Sequence, residues 1–376
     1  MVKKIAKEFI VFLSSAFFLL LAAHFLYYYL LVDVFSFLPV FPFSAIVTFL
    51  VFSFIAIFIE KFLVKRFDND YNRALYFIVA IWLGIAWQSC LIYLGLAIVR
   101  FLASFYWLMS PEIFAGIFFL LTALLSWRGF YNAFKIRFKN IALEIENLPD
   151  FWVGKKIVQL SDVHLGAIYR QKFLSKIVKM VGQTGAEAVL ITGDLFDGTD
   201  GDFSEAGKQL LKMPASQGVF FVYGNHENRL GRLGMLSHLT GTGMELLDDR
   251  LVEIHGLQII GISFPEEGTK NFNLAEAIKS LSGFDPQKPS ILMFHEPIQF
   301  EEVSKIGIDV YLAGHTHYGQ MFPFNYLSNL VYHGFSKGVA KFNQLTAIIS
   351  TGVGTWGPPC RTMSYGEIIV ITLLKK

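Results

Sequence analysis

Cysteine is nearly missing from this chain. Cys90 and Cys360 are the two thiols in 376 residues, they lie in very different segments, and no Cys-x-x-Cys occurs. A disulfide framework is thereby excluded, and the pattern is compatible with a reducing compartment. Charge is thin as well: 16% of residues are charged, against about 25% in ordinary soluble domains. The formal net charge of +2 is too small to argue for nucleic acid. There is no repeat, no low-complexity tract, and no signal peptide, because the first apolar run is too long and lacks a small-residue cleavage site.

What stands in place of charge is hydrocarbon. The apolar share is 54%, and the excess is concentrated in the first third, so the average hides two different polymers. Apolar runs cover Phe9 to Leu31, Pro42 to Ile59, Ala74 to Val99 and Ile113 to Trp127. A spanning helix needs roughly 20 such residues, and the fourth run is the shortest. The short turns between runs one and two, and three and four, carry Pro39, Pro42 and Pro111. Four helices packed as two hairpins is the expected arrangement. Lys3, Lys4 and Lys7 precede the first run, and Lys61, Lys65, Arg66 and Arg73 separate the second from the third. Arg128, Lys135, Arg137 and Lys139 follow the fourth, whereas the opposite loops offer only Arg100. This bias predicts a multi-pass protein of an inner or plasma membrane, with both termini cytoplasmic. Tyr27, Tyr28, Tyr29, Tyr106 and Trp107 read as interfacial aromatics. His24 and Gln88 are polar residues inside spans, expected to pack against a neighbouring helix.

Near residue 140 the composition changes, predicting a transmembrane domain over 1–135 and a cytoplasmic domain over 136–376. Ile141, Leu143 and Ile145 alternate with polar residues, as in a half-buried strand. Short apolar runs follow at Ile157–Leu160, Ala188–Ile191, Val219–Val222, Ile259–Ile262, Ile291–Phe294 and Val310–Leu312, with a helix expected over Gln171–Gly182. Two more strand-like runs, Ile348–Thr351 and Ile368–Leu373, close the chain without intervening helices. An α/β domain with a mixed sheet, or two stacked sheets, fits this order.

Several of these runs end in polar clusters: Asp162 with His164; Gly193-Asp194 and Asp197; Gly224-Asn225-His226-Glu227; His295-Glu296; and Gly314-His315-Thr316-His317. Carboxyl ends of strands are where α/β folds collect ligands. Asp162 and His164, two apart on extended backbone, would point the same way and grip one ion. The offered side chains are Asp, His and Asn without thiolate, which suits Mn, Fe, Zn or Ni better than calcium or a zinc finger. The candidates are too many for one ion. Two ions about 3.5–4 Å apart, bridged by one carboxylate, would use them.

Asp-x-His, Gly-Asp-x-x-Asp, Gly-Asn-His-Glu, a lone His and Gly-His-x-His, in this order over roughly residues 140 to 376, resemble the calcineurin-like metallophosphoesterases. The resemblance implies a four-layer β-sandwich flanked by helices. It implies a first metal on Asp162, His164 and His317, a second on Asn225, His295 and His315, and Asp194 bridging both. His226 would face the substrate as general acid, oriented by a neighbour such as Glu227. Two such ions would lower the pKa of a shared water and supply hydroxide for in-line attack on phosphorus. Asp197 and Glu296 are expected to support ligands, and Arg361 is a candidate for meeting a phosphate. His238, His255 and His333 match no block, and Cys360 has no base partner.

An N-terminal membrane region fused to this domain is similar to the membrane-anchored branch of the superfamily. The tail around Gly319-Gln320, Gly352–Arg361 and Glu367-Ile368 matches that branch, while Tyr318 and Tyr365-Gly366 depart from it and leave the substrate open. Some relatives of similar build cleave the pyrophosphate of a UDP-linked diacylated glucosamine. A domain held at a bilayer meets lipid-borne substrates at high effective concentration, so a lipid-linked phosphodiester or pyrophosphate is the first expectation. A phosphodiesterase for soluble diesters, tethered to the membrane only as an address, is the second. A catalytically silent metal-binding scaffold is the third, and retention of His226 with the full ligand set argues against it. Nothing points to a protein partner. The stretch Leu230 to Leu247 reads either as an amphipathic helix on the sheet or as an acyl-facing lid.

Overall fold

The computed structural model describes residues 32–35, 56, 67, 69–103, 110–197, 204–230, 241–266, 269 and 272–376. The first expected span lies outside these residues and so, apart from residue 56, does the second; His24, the Tyr27–Tyr29 and Tyr106–Trp107 aromatics, His238, and 231–240 of the expected lid lie outside them too. The chain divides into two compact units. Unit 1 is Met1–Phe130 with Gly357–Cys360; unit 2 is Tyr131–Trp356 with Arg361–Lys376.

In unit 1 the helices α1 (Asp70–Ala103) and α2 (Pro111–Phe134) are both long and apolar enough to cross a membrane. The second is longer than the run Ile113 to Trp127 suggests, because the chain keeps helical geometry through the polar Arg128 to Asn132 as far as Phe134. The Gln88 amide on α1 reaches the Ser126 hydroxyl on α2 at 3.4 Å, a cross-helix polar contact of the kind apolar helices use when hydrocarbon offers no other partner.

Unit 2 runs β1 (Ile136–Ile145), β2 (Lys156–Leu160), α3 (Gln171–Gly182), β3 (Ala188–Ile191), α4 (Ser204–Leu210), β4 (Gly218–Phe221) and α5 (Asn225–Leu230). It continues through β5 (Met244–Leu246), β6 (Arg250–Ile254), β7 (Leu257–Gly261), α6 (Leu274–Lys279), β8 (Ser290–Met293), α7 (Phe300–Ser304), β9 (Val310–Ala313), α8 (Phe324–Val331), β10 (Gly338–Phe342), β11 (Leu345–Ile349) and β12 (Gly366–Lys375). The strands form two six-stranded mixed sheets, in the orders β1-β12-β2-β3-β4-β5 and β10-β11-β9-β8-β7-β6. Central pairs β2/β3, β3/β4, β7/β8 and β8/β9 are parallel.

Three apolar cores define the layers. Ile157, Leu190 and Phe220 of one sheet meet Ile259, Ile291, Leu312 and Ile348 of the other in the middle. The outer face of the first sheet packs Val158, Val189 and Phe221 against Leu174, Ile177 and Val181 of α3. The outer face of the second packs Leu292 and Tyr311 against Leu274 and Ile278 of α6 and Val303 of α7. This is the four-layer helix–sheet–sheet–helix arrangement, and burial of both strand faces explains why the central strands read as unbroken apolar runs. The C-terminal end of the expected Leu230–Leu247 segment is not helical: Met244–Leu246 is β5, paired parallel to β4. Two glycines at positive φ, Gly241 and Gly243, stand just before it, and a helix cannot run through them into these residues.

Candidate metal centre

Each polar cluster follows one of the parallel strands, in the next loop or, for Asn225 and His226, in the first turn of α5. Asp162 and His164 follow β2, Asp194 follows β3, Asn225 and His226 follow β4, His295 follows β8, and His315 and His317 follow β9. Asp162 and His164 do not converge by strand alternation. The strand has ended at Leu160, and both residues take left-handed backbone, as do Asp194, His315 and His317, with φ between 47° and 70°. Such conformations cost energy for residues with a Cβ and recur at functional sites. They are held by neighbouring loops, Asp162 N donating to Gly193 O at 3.1 Å and His164 N to Asp194 O at 3.0 Å. Gly224 and Gly314 supply space: a Cβ on Gly314 would overlap Ser161 Oγ and Asp162 Oδ2, and one on Gly224 would overlap Asp194 Oδ1.

The side chains converge into a largely buried cage. Asp162, His164 and His317 form one group of potential ligand atoms within 4.8 Å of one another, and Asp194, His295 and His315 form another. In the first, His164 Nε2 lies 3.0 Å from His317 Nε2, and His317 Nε2 lies 3.2 Å from Asp162 Oδ1. In the second, His295 Nε2 is 3.1 Å from Asp194 Oδ2, while Asn225 Oδ1 is 3.2 Å from His295 Nε2 and 2.9 Å from His315 Nδ1. Asp194 Oδ2 is also 3.8 Å from His164 Nε2 and 3.9 Å from His226 Nε2, so it faces both groups. His164, Asp194 and His226 make a third grouping within the same range.

Contacts behind the cage fix ring orientations. His295 Nδ1 donates to Thr192 O at 2.7 Å, which turns Nε2 toward Asp194. His226 Nδ1 donates to Asp197 O at 3.0 Å, turning Nε2 toward the cage. The orienting neighbour of His226 is therefore Asp197, not Glu227. Glu227 points the other way and accepts from Asp194 N at 2.9 Å, Phe196 N at 3.0 Å and Gly224 N at 2.7 Å, tying two site loops together. The Asp197 carboxylate lies 3.3 Å from His164 Nδ1, without hydrogen-bond alignment. Asp162 receives Ser161 Oγ at 2.6 Å and His315 N at 3.1 Å. Glu296 keeps its side chain on Tyr332, whose hydroxyl donates at 3.3 Å.

The electrostatics are those of a site built for cations. Burial alone would raise the Asp162 and Asp194 carboxyls, but the surrounding imidazoles outweigh it and hold both below the usual carboxylate range. Burial and neighbouring charge lower His315 and His317 to about 4, so their rings stay neutral with lone pairs available. His295 goes the other way, to about 10, because the Asp194 carboxylate outweighs its burial. Imidazoles, those of His315 and His317 held neutral, with anionic carboxylates, an amide oxygen and no thiolate make a donor set that fits hard-to-borderline divalent ions.

Arg361 does not reach toward a substrate. It is fully buried. Its Nη2 donates to Thr351 O at 2.8 Å and Gly352 O at 3.2 Å, contacts Gly354 O, and lies 3.3 Å from His317 Nδ1. Its Nη1 donates to Ser364 Oγ at 2.9 Å. His255 stacks on Phe151, with ring centroids 3.8 Å apart, and His333 is exposed past α8; neither belongs to the cage. Burial pushes the Cys360 thiol up to about 12, which makes it inert. Phe264 and Tyr332, which no motif marks, bring their rings to 6.1 Å and 6.2 Å from His315. The only signal for Phe264 was its position just past the end of a strand.

A cage of this chemistry at the strand ends of a four-layer sandwich defines a metal-dependent phosphoesterase. The sequence profile of the calcineurin-like phosphoesterases matches residues 155–319. A protein of Helicobacter pylori named "uncharacterized metallophosphoesterase" is 34% identical over 254 residues, covering 66% of this chain and 67% of that one. Another of that name from Campylobacter jejuni is 29% identical over 339 residues, covering 86% and 89%. A Danio rerio protein named "transmembrane protein with metallophosphoesterase domain" is 29% identical over 274 residues, covering 68% and 61%. The chain belongs to the calcineurin-like phosphoesterase family and is a metal-dependent phosphoric ester hydrolase. Its His and Asp groups suit two divalent metal ions.

Proposed function

We propose that the chain hydrolyses a phosphodiester or pyrophosphate bond of a lipid-linked substrate at the cytoplasmic face of a membrane. In this reading Asp162, His164 and His317 hold one ion, Asn225, His295 and His315 hold the other, and Asp194 holds both. Manganese is the ion proposed, with iron, zinc or nickel as alternatives that mixed imidazole and carboxylate donors also accept. When bound, such a pair supplies charge for the phosphoryl oxygens and a water acidified toward neutrality. The chain's own groups do the rest. Asp194 balances charge between the two halves. His226, anchored through Nδ1 to Asp197 O, presents Nε2 as the group that gives a proton to the leaving oxygen. Burial of the cage keeps bulk water from competing with the substrate.

One observation carries the reading. His164 Nε2 and His317 Nε2 face each other across 3.0 Å in a dry interior, each within 4.0 Å of Asp162 Oδ1. Two ring nitrogens so placed repel unless a cation or proton sits among them. The lipid-linked part rests on α1 and α2 and on the basic residues flanking the apolar runs, which favour a cytoplasmic unit 2 joined to multi-pass helices near residue 135.

The test is hydrolysis of a chromogenic aryl diester by the full-length protein with and without manganese, against the corresponding monoester. Manganese-dependent diester cleavage is expected, and a dead protein at full metal loading would favour the silent scaffold. A diacylated sugar nucleotide in mixed micelles then separates lipid-linked from soluble substrates. A kcat/KM no better than that for the aryl diester would support the soluble reading.

A further inference from the structure

Helix α8 is built inside out. Asn325 is 2% exposed and Ser328 and Asn329 are half-buried, while Tyr326, Leu327, Leu330 and Val331 are 63%, 54%, 73% and 57% exposed. A surface helix in water shows the opposite pattern. The inward polar face is fastened to the cage loop: Ser336 Oγ donates to Asn329 Oδ1, and Thr316, between His315 and His317, donates to Ser336 O at 2.5 Å.

The surroundings extend the apolar surface. Phe322 N donates to Thr362 Oγ1 at 2.7 Å and Gln320 Nε2 to Trp356 O at 3.2 Å. These bonds bring the exposed Trp356 and Met363 alongside the start of α8. No Asp or Glu occurs between Asp309 and Glu367, and most of the exposed large apolar side chains of unit 2 fall in that same stretch. Its exposed charges are Lys337, whose ammonium lies 3.4 Å above the Tyr318 ring, and Lys341.

We propose that α8 lies in the surface of a lipid bilayer. Tyr326, Leu327, Leu330 and Val331 enter the headgroup–acyl boundary, and Lys337 and Lys341 meet anionic headgroups. An apolar face bordered by lysines, in a stretch without Asp or Glu, is the signature of an interfacial helix. A second copy of the chain fits worse, because self-contact of this stretch would bring lysines to lysines with no carboxylate of the same stretch to answer them. A bilayer is also at hand, since the same chain carries α1 and α2. The contact stands whichever ester is cleaved; it rests on the membrane reading above. It would place the His315–His317 loop at the level of lipid phosphates.

The test uses the full-length protein in vesicles of phosphatidylethanolamine and phosphatidylglycerol. Leu330→Cys and, separately, Tyr326→Cys are labelled with bimane, Cys90 and Cys360 being buried. Glu302→Cys on α7 serves as the water-exposed reference. Both α8 labels should be quenched severalfold more than the reference by a nitroxide on the acyl chain, and severalfold less by iodide. Iodide quenching equal to the reference overturns the proposal, and so does shielding from both quenchers, which would mean a protein partner or a second copy. Carbonate extraction separates the two levels: protein that washes off sinks the membrane reading as well, whereas protein that stays while its α8 labels see water sinks only this inference.

Discussion

At the scale of single residues, the site depends on what stands behind the candidate ligands. His226 Nε2 lies 3.9 Å from Asp194 Oδ2, against 3.1 Å for His295 Nε2, so its removal should leave the ligand set intact. His226→Ala is expected to keep two metals per chain by elemental analysis while turnover falls by about 10²–10⁴-fold, the usual worth of a general acid. Full turnover would remove it from the mechanism. Arg361 is a positioning residue, using Nη2 on the 351–354 carbonyls beside His317 and Nη1 on Ser364 Oγ. A lysine ammonium cannot serve both arms of that fork. Arg361→Lys should weaken apparent metal affinity by about 10–100-fold and recover most of kcat at saturating metal; an unchanged metal titration would contradict this role. The candidate ligands were legible because each stands beside a glycine or at the end of an apolar run. Arg361 was legible as a residue but not in its role, because its partners lie in loops and its exposure cannot be read from a linear pattern. The left-handed backbone at Asp162 and His164 was invisible for the same reason: it is imposed by hydrogen bonds to the loop carrying Gly193 and Asp194.

At the scale of elements, the central strands were legible and, apart from the second half of β1, the edges were not. Ala188–Ile191 and Val310–Ala313 are buried on both faces, so they appear as apolar runs. The edge strands β5 and β10 expose alternate residues, and a three- or five-residue alternation resembles a loop. Helix α8 escaped notice because its apolar stripe faces away from the core. One buried acid offers a pH test of how these elements are held. Asp309, just before β9, accepts from Ser290 N at 2.9 Å at the start of β8. Burial lifts its carboxyl to about 6, against 3.8 ordinarily. A folded pKa above the unfolded one means the protonated form favours folding at low pH, and that advantage is lost as pH rises through about 6. Asp309→Asn keeps an oxygen for Ser290 N and never ionises. It should therefore be matched to the parent at pH 4 and gain on it up to pH 7, by about 1–2 kcal/mol after allowing for partial exposure. Melting temperatures of the two proteins compared at both pH values check this, and a constant difference would contradict it.

At the scale of the whole molecule, the chain carries apolar helices and a sandwich whose loops converge from β2, β3, β4, β8 and β9 on one cage. The order of those loops along the chain was readable, but their meeting in space was not, since it depends on two sheets stacking with their parallel strand ends aligned. The central claim is that this convergence holds a pair of cations shared through Asp194. The most direct measurement is electron paramagnetic resonance of the manganese-loaded full-length protein, with metal content determined on the same sample. The account predicts two manganese ions per chain and an exchange-coupled spectrum, as expected for ions about 3.5–4 Å apart, with both lost in Asp194→Asn. An active protein showing one isolated manganese signal, or a coupled pair that survives Asp194→Asn unchanged, would contradict it.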